Sequence, residues 1–96
     1  MENTDAFKKN FERLPDLMYI IIFHDDEHIR VSTLEYVRKI VYIDVVYWKI
    51  VDILKVFLDT IKTDDYYKSR SIEYSERVKN VQNELWMQRL NYGKPE

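Results

Sequence analysis

Apolar residues recur at helical spacing along much of this 96-residue chain. The first such stripe predicts a helix over residues 5–14, and Pro15 then indicates the first turn of a new helix. The stripe consists of Phe7, Phe11 and Leu14. Residues 17–23 are apolar without a break, which is typical of a helix buried on every side or of a central strand. Periodicity does not distinguish these two alternatives.

Two capped helices are predicted in the middle of the chain. Residues 32–35, Ser-Thr-Leu-Glu, have the form of a capping box, in which a hydroxyl and a glutamate three residues later satisfy free amides of the first turn. Asp44 is suited to cap the next helix, with a tight turn at Tyr42 and Ile43 before it. Because neither Gly nor Pro enforces this break, a single helix over residues 33–62 is the alternative.

The remaining pattern predicts three short strands and a last helix. Residues 60–63 are short and rich in β-branched side chains, which is typical of a strand. Residues 29–31 form a brief extended run, and residues 70–74 alternate polar and apolar side chains as a half-buried strand does. A polar turn at residues 64–69 joins the strand at residues 60–63 to the strand at residues 70–74. Ser75 then caps a helix that has an apolar stripe and two further apolar residues on its flank. The stripe consists of Tyr74, Val78, Val81, Leu85 and Tyr92, and the flank of Trp86 and Leu90.

This order of elements resembles a winged helix-turn-helix domain, of the type found among small regulators in archaea and their viruses. The likeness covers about residues 14–90, and its most specific part is residues 29–44, with a strand, a capped helix, a turn and the cap of a recognition helix. Residues 70–75 resemble the wing strand that returns into the final helix. Two positions depart from the family pattern, because Tyr42 replaces the usual Gly of the turn and Arg38 replaces a small residue.

The resemblance implies a mainly α (α+β) fold, a winged helix-turn-helix with a small β-hairpin wing and a C-terminal helix. It assigns residues 5–14 to an N-terminal helix, residues 15–74 to the winged helix-turn-helix core and residues 75–92 to a C-terminal dimerisation helix. Neither an internal repeat nor a linker divides the sequence, so we expect a single domain over residues 1–96.

Composition narrows the classes of function. The single Gly, Gly93, excludes glycine-rich phosphate loops and dinucleotide motifs, which need several residues without a Cβ. The absence of cysteine excludes disulfides, thiolate metal sites and a cysteine nucleophile, and it suits the cytoplasm. Four charged residues interrupt the most apolar window, residues 42–58, so we expect no membrane span.

His24 and His28 are the residues best suited to bind a metal ion, since they lie four positions apart with three carboxylates between them. The sequence supplies no obvious further ligand, and His-Asp-Asp-Glu-His differs from the zinc-protease motif. A solvated turn explains the pattern better. Serine-nucleophile and phosphate-loop signatures are also missing, so we predict no enzyme activity, catalytic residue, metal, cofactor or small-molecule ligand.

The resemblance implies that the helix from Asp44 faces the major groove of double-stranded DNA. Trp48, Lys49 and Asp52 would lie nearest the bases. Because the formal net charge is −2, such binding depends on a local basic patch. The predicted DNA-binding residues are Ser32, Thr33, Arg38, Lys39, Val45, Trp48, Lys49, Asp52, Lys68 and Arg70.

Two elements outside the recognition helix are predicted to contact phosphates. Free amides at Ser32 and Thr33 would hold one phosphate at the positive end of the helix dipole, and Arg38 and Lys39 on the same predicted helix are further candidates for phosphate contacts. Lys68 and Arg70 would reach the DNA backbone from the wing, although this segment is also typical of a solvated hairpin of mixed charge.

Small winged-helix regulators commonly dimerise through their first and last helices, and the resemblance implies the same interface here. A broad core within one chain is the alternative explanation of these apolar residues. The predicted dimer interface comprises Phe7, Phe11, Leu14, Val81, Leu85, Trp86 and Leu90.

Two functional hypotheses follow. The first is a homodimeric regulator of transcription that binds double-stranded DNA. The second is a non-enzymatic helical protein–protein interaction module, with a winged-helix-like or helical-bundle fold, that does not bind DNA. The outer face of the Asp44 helix favours the second hypothesis, because it carries Val45, Trp48 and Val56 beside two aspartates.

Overall fold

The computed structural model describes residues 2–92, with side chains described for residues 5–92. Over this range the chain forms five α-helices and no β-strand. They are α1 (Glu2–Phe23), α2 (Glu27–Arg38), α3 (Asp44–Thr63), α4 (Asp65–Lys68) and α5 (Ser71–Tyr92). Helix α1 packs against α2, α3 and α5, and α3 also packs against α4 and α5. The fold is a small helical bundle.

The predicted winged helix-turn-helix fold with its β-hairpin wing is therefore wrong. Residues 29–31 and 60–63, predicted as strands, lie inside α2 and α3, and residues 71–74 of the predicted wing strand form the first turn of α5. The alternation at residues 70–74 is too short to outweigh the helical stripe that begins at Tyr74 and continues through Val78 and Val81, all of which are buried. The segment between α3 and α5 contains α4 instead of a hairpin.

Helix α2 begins earlier than the predicted capping box. Its N-cap is Asp26, whose carboxylate accepts hydrogen bonds from the backbone amides of His28 (2.8 Å) and Ile29 (3.3 Å). Ser32 and Thr33 consequently lie inside the helix, where an amide bonds to the carbonyl four residues earlier. The polar run after α1 is thus a helix cap and not only a solvated turn.

Helix α1 continues through Pro15 instead of ending there. A proline inside a helix costs about 3 kcal/mol because it lacks a donor and clashes with the preceding turn. Leu14, Leu17 and Met18 around it are buried, and burial of each such side chain contributes about 1.5–3 kcal/mol. The predicted helix start at Pro15 is therefore wrong. Of the two alternatives for residues 17–23, the structure shows the helix.

The predicted break between the two middle helices is confirmed. Helix α2 ends at Arg38 and α3 begins at Asp44, so the alternative of one helix over residues 33–62 is wrong. The N-cap of α3 is Ile43 and not Asp44, and it makes no side-chain capping bond. Positive φ is absent among the described residues, so the turn does not need the Gly that the family usually has at Tyr42.

The core runs along α1 and closes at one end with an aromatic cluster. Phe23 at the end of α1 lies 4.7 Å from the Tyr67 ring, 5.0 Å from the Tyr74 ring and 5.2 Å from the Phe57 ring, between ring centroids. The apolar side chains with less than 2 % exposure include members of every long helix. They are Leu14, Met18, Ile22, Val37, Val41, Val46, Ile50, Leu54, Ile61, Val78 and Leu85.

Between residues 2 and 92, none of the helices combines the length and the apolarity that a bilayer crossing requires.

Candidate functional site

The outer side of α3 is the candidate site, and we call it the α3 face. It comprises Val45, Trp48, Asp52, Lys55, Val56 and Asp59, all of them exposed. The opposite side of the helix, with Val46, Ile50 and Leu54, is buried in the core. Three apolar residues of the α3 face stay more than half exposed, at 52 % for Val45, 53 % for Trp48 and 64 % for Val56.

An aromatic cluster joins one margin of the α3 face to α5. The buried Tyr47 ring lies 5.1 Å from the Trp48 ring and 5.6 Å from the Trp86 ring, between centroids. The Arg89 guanidinium lies 5.3 Å from the Tyr47 ring and 5.2 Å from the Trp86 ring, and it donates a 2.7 Å hydrogen bond to the Asp44 carboxylate. Burial raises the pKa of the Tyr47 hydroxyl. The Trp48 ring therefore packs on a buried tyrosine ring that contacts with Trp86 and Arg89 hold in place.

The other margin of the α3 face meets α1. The Lys49 ammonium lies 5.9 Å from the centroid of the Phe11 ring, and Phe7 stacks on Phe11 at 6.0 Å. Phe7 is 36 % exposed, whereas Phe11 and Lys49 are half-buried. This margin adds apolar surface next to a positive charge.

Ser32 and Thr33 do not form the predicted phosphate site. Both lie inside α2, and their hydroxyls donate to the Ile29 carbonyl at 3.3 Å and 2.7 Å. A phosphate site at a helix start needs amides without a helical partner, and in α2 the Asp26 carboxylate already accepts hydrogen bonds from two of them, those of His28 and Ile29.

The Arg38 guanidinium forms hydrogen bonds with side chains of its own chain. Its guanidinium donates to the carboxylates of Glu35 (3.0 Å) and Glu84 (3.1 Å) and to the Gln88 side chain (3.0 Å). Glu84 and Gln88 belong to α5, so Arg38 ties α2 to α5.

Arg70 is likewise paired within the chain. It donates to Asp25 at 2.9 Å and to Glu73 at 2.7 Å, and these hydrogen bonds raise the pKa of its guanidinium. In return, Arg70 lowers the pKa of both carboxyls. Arg70 therefore joins the α1–α2 connection to the start of α5 and does not extend from a wing.

The remaining predicted phosphate contacts are far apart. Lys39 and Lys68 are exposed, but Lys39 precedes the start of α3 and Lys68 follows its end. Since α3 has 20 residues, it is about 30 Å long. The basic residues of the two predicted phosphate-binding elements are thus not brought together.

The predicted dimer interface is only partly available. Leu14, Val81 and Leu85 are 0 %, 7 % and 0 % exposed, so they belong to the core of one chain and cannot contact a second copy. The alternative of an intramolecular core is correct for these three residues. Trp86 and Leu90 remain exposed on α5, and Phe7 on α1.

A shallow groove of about 370 Å³ lies between α2 and α5. Its apolar floor includes Ile21, Leu34 and Val81. Arg30 and Arg77 at its wall both donate to backbone carbonyls of the α1–α2 connection. Their hydrogen bonds tie α2 and α5 to the α1–α2 connection at this end of the molecule.

The histidines of the predicted turn are separated by the start of α2. The His24 ring nitrogen Nδ1 accepts a 3.0 Å hydrogen bond from the Asp26 amide, and His28 lies in the first turn of α2. Among the described residues, no group of three or more His, Cys, Asp or Glu side chains is placed to hold a metal ion.

Comparison with known proteins gives no family assignment: no family model, curated protein or solved structure matches this chain.

Proposed function

We propose that this protein is a non-enzymatic helical protein–protein interaction module whose contact surface is the α3 face. The observation that carries the proposal is Trp48, which is 53 % exposed yet packs on the buried Tyr47 ring. Tryptophan residues on rigid supports, surrounded by smaller apolar contacts, supply much of the binding energy of protein interfaces. Val45 and Val56 provide such contacts on the same face.

Charge supports a protein partner over nucleic acid. The α3 face carries Asp52 and Asp59 beside Lys55, and the formal net charge of the chain is −2. Arg38 and Arg70, which were predicted to hold phosphates, are paired with carboxylates of the same chain. Binding of double-stranded DNA and regulation of transcription stay predictions that none of these contacts favours. The cysteine-free composition suits the predicted cytoplasmic location.

The test is the substitution Trp48→Ala with Ile72→Ala as its matched control. Ile72 is 88 % exposed on α5 and lies outside the α3 face, so its loss removes a comparable exposed apolar side chain. Self-association is measured by analytical ultracentrifugation, and association with other proteins by crosslinking in an extract of the source cells. Circular dichroism confirms that each variant is folded.

We expect Trp48→Ala to weaken whichever association the natural chain shows by about 30-fold, as for a central interface residue. Ile72→Ala should leave it unchanged. Equal association by Trp48→Ala and the natural chain would contradict the proposal. A mobility shift of random duplex DNA that weakens steeply with salt would instead favour the DNA-binding hypothesis.

A further inference from the structure

Four residues of α3 form one line along its exposed side, and we call them the α3 stripe: Val45, Lys49, Asp52 and Val56. Their spacing is four, three and four positions, which places them within about 60° of one another around the helix. This is the spacing of alternating d and a positions in a coiled coil. Three of the four are exposed and Lys49 is half-buried, so the stripe is not part of the buried core and is accessible to a partner.

The α3 stripe is complementary to a second, antiparallel copy of itself, because apolar residues then meet apolar residues and Lys49 meets Asp52. If two copies of α3 lie antiparallel about a two-fold axis between Ile50 and Val51, Val45 of one copy faces Val56 of the other. In the same arrangement Lys49 faces Asp52 of the second copy. Each contact occurs twice, as a two-fold interface requires. The interface would then contain two apolar layers and two pairs of opposite charge.

A parallel arrangement has the opposite charge pattern. There each residue of the stripe faces its own equivalent, so that Lys49 meets Lys49 and Asp52 meets Asp52. Like charges brought together across an interface disfavour that arrangement. Charged residues at such positions set the orientation of paired helices. The stripe therefore favours the antiparallel pair.

The margins of the stripe fit the same arrangement. Trp48 and Lys55 lie on one side of it, and two-fold antiparallel pairing brings the Trp48 ring beside Lys55 of the second copy, a favourable cation–π contact. On the other side, the exposed edge of Phe7 and the ring of Phe11 flank Lys49 within the same chain. These aromatic margins would limit the access of water to the Lys49–Asp52 pairs, which strengthens them.

We infer that the α3 stripe binds a second copy of this chain, antiparallel, in a two-fold dimer held by reciprocal Lys49–Asp52 pairs and Val45–Val56 contacts. This inference rests on the proposed function, because it names the partner of the α3 face. It places the dimer contact on α3 and not on the first and last helices, where Leu14, Val81 and Leu85 of the predicted interface are buried.

Charge reversal tests the inference. In Lys49→Asp and in Asp52→Lys, every interfacial pair becomes a pair of like charges, whereas the double variant Lys49→Asp/Asp52→Lys restores opposite charges. The two single variants, when mixed, present two aspartates to two lysines. The matched controls are Lys79→Asp and Glu76→Lys, which make the same changes of charge at exposed positions of α5. The readout is the molar mass by analytical ultracentrifugation over a range of concentrations.

We expect the natural chain, both controls and the double variant to be dimers. Each single variant alone should show a dimer dissociation constant raised by about 30-fold or more, for two like-charge pairs. The two single variants mixed in equal amounts should form a heterodimer. Val56→Glu adds a check that leaves the core intact, because Val56 is 64 % exposed, and it should also weaken the dimer.

Three results would overturn the inference. The first is a natural chain that stays monomeric up to about 1 mM, the affinity range of the weakest specific complexes. The second is a dimer that the single reversals and Val56→Glu affect no more than the controls do. The third is the absence of a heterodimer from two folded single variants. If the natural chain is monomeric but Trp48→Ala abolishes its binding to another protein, the inference fails and the proposed function stands.

Discussion

The Arg89 guanidinium on α5 lies 2.7 Å from the Asp44 carboxylate in the first turn of α3. The same guanidinium stacks on the rings of Tyr47 and Trp86, so a single side chain joins the N-terminal end of α3 to the last helix. This contact fixes the aromatic support on which Trp48 lies. The shape of the α3 face therefore depends on Arg89 of α5, which lies 45 positions from Asp44 in the chain.

Replacement of Arg89 should loosen that support. We expect Arg89→Ala to lower the free energy of unfolding by about 1–2 kcal/mol, from one partly exposed ion pair and two cation–π contacts. Arg89→Lys should be more stable than Arg89→Ala but less stable than the natural chain. An ammonium lacks the planar guanidinium that forms hydrogen bonds and stacks on aromatic rings at the same time. Urea unfolding followed by tryptophan fluorescence measures both. An Arg89→Ala variant as stable as the natural chain would show that the contact does not support the fold.

The hydroxyls of Tyr19 and Tyr67 lie 2.8 Å apart, and this hydrogen bond raises the pKa of Tyr67 to about 12. Because the folded pKa lies above the unfolded value of about 10, this contribution to stability is complete below about pH 10 and is lost as the pH rises toward 12. In Tyr19→Phe the pKa of Tyr67 should fall toward its ordinary value. Ultraviolet titration of the tyrosines measures the change, with Tyr92→Phe as the control. The same titration curve for Tyr67 in both variants would contradict the assignment.

The ion pairs of Arg70 should make stability sensitive to acid. Arg70 lowers the pKa of the Asp25 and Glu73 carboxyls, so their contribution is present above the ordinary carboxyl pKa of about 4 and is lost as the pH falls through the folded values. We expect Arg70→Ala to be less stable than the natural chain at pH 7 and to differ less from it near pH 3. Urea midpoints across this range test the prediction, with Lys68→Ala as the control. A constant difference between pH 7 and pH 3 would count against the ion-pair explanation.

The turn between α2 and α3 should not benefit from glycine. The described residues contain no positive φ, so Tyr42→Gly relieves no strain and instead increases the entropy of the unfolded chain. It also removes the ring contact between Tyr42 and Tyr92, whose centroids lie 5.3 Å apart. We expect a loss of about 1 kcal/mol in the free energy of unfolding. Thermal unfolding measures it, and a stabilised variant would show that the backbone at Tyr42 is strained, contrary to this prediction.

The long periodic segments were predictable from the sequence, and the short ones were not. The stripes of α3 and α5 repeat over several turns, so their buried sides, with Val46 and Ile50 in one and Val78 and Leu85 in the other, follow from spacing alone. The supposed strand at residues 29–31 has too few positions to show a period. The acidic residue Asp26 just before α2 was the available signal for a helix start, but the hydroxyls of Ser32 and Thr33 offered a competing cap of the same chemistry.

The candidate site depended on contacts that spacing cannot supply. The outer side of α3 was predictable, because Val45 and Trp48 point away from its buried residues. The pairing of Asp44 with Arg89 and of Arg38 with Glu84 depends on which helices become neighbours. The apolar stripe of α1 likewise indicated that Leu14 must be buried, but not whether its own chain or a second copy would bury it.

Five arginines hold the helices to one another or to their connections by hydrogen bonds, a role that none of the lysines with described side chains shares. Each guanidinium donates to a carboxylate, an amide or a backbone carbonyl of the same chain; these arginines are Arg30, Arg38, Arg70, Arg77 and Arg89. Arginine and lysine therefore have different roles: the arginines hold the helices together, whereas the lysines carry most of the positive charge exposed to water among the described residues. Acetylation of exposed lysines would make the molecule more anionic and change its solubility and long-range attractions, yet leave the arrangement of the helices intact.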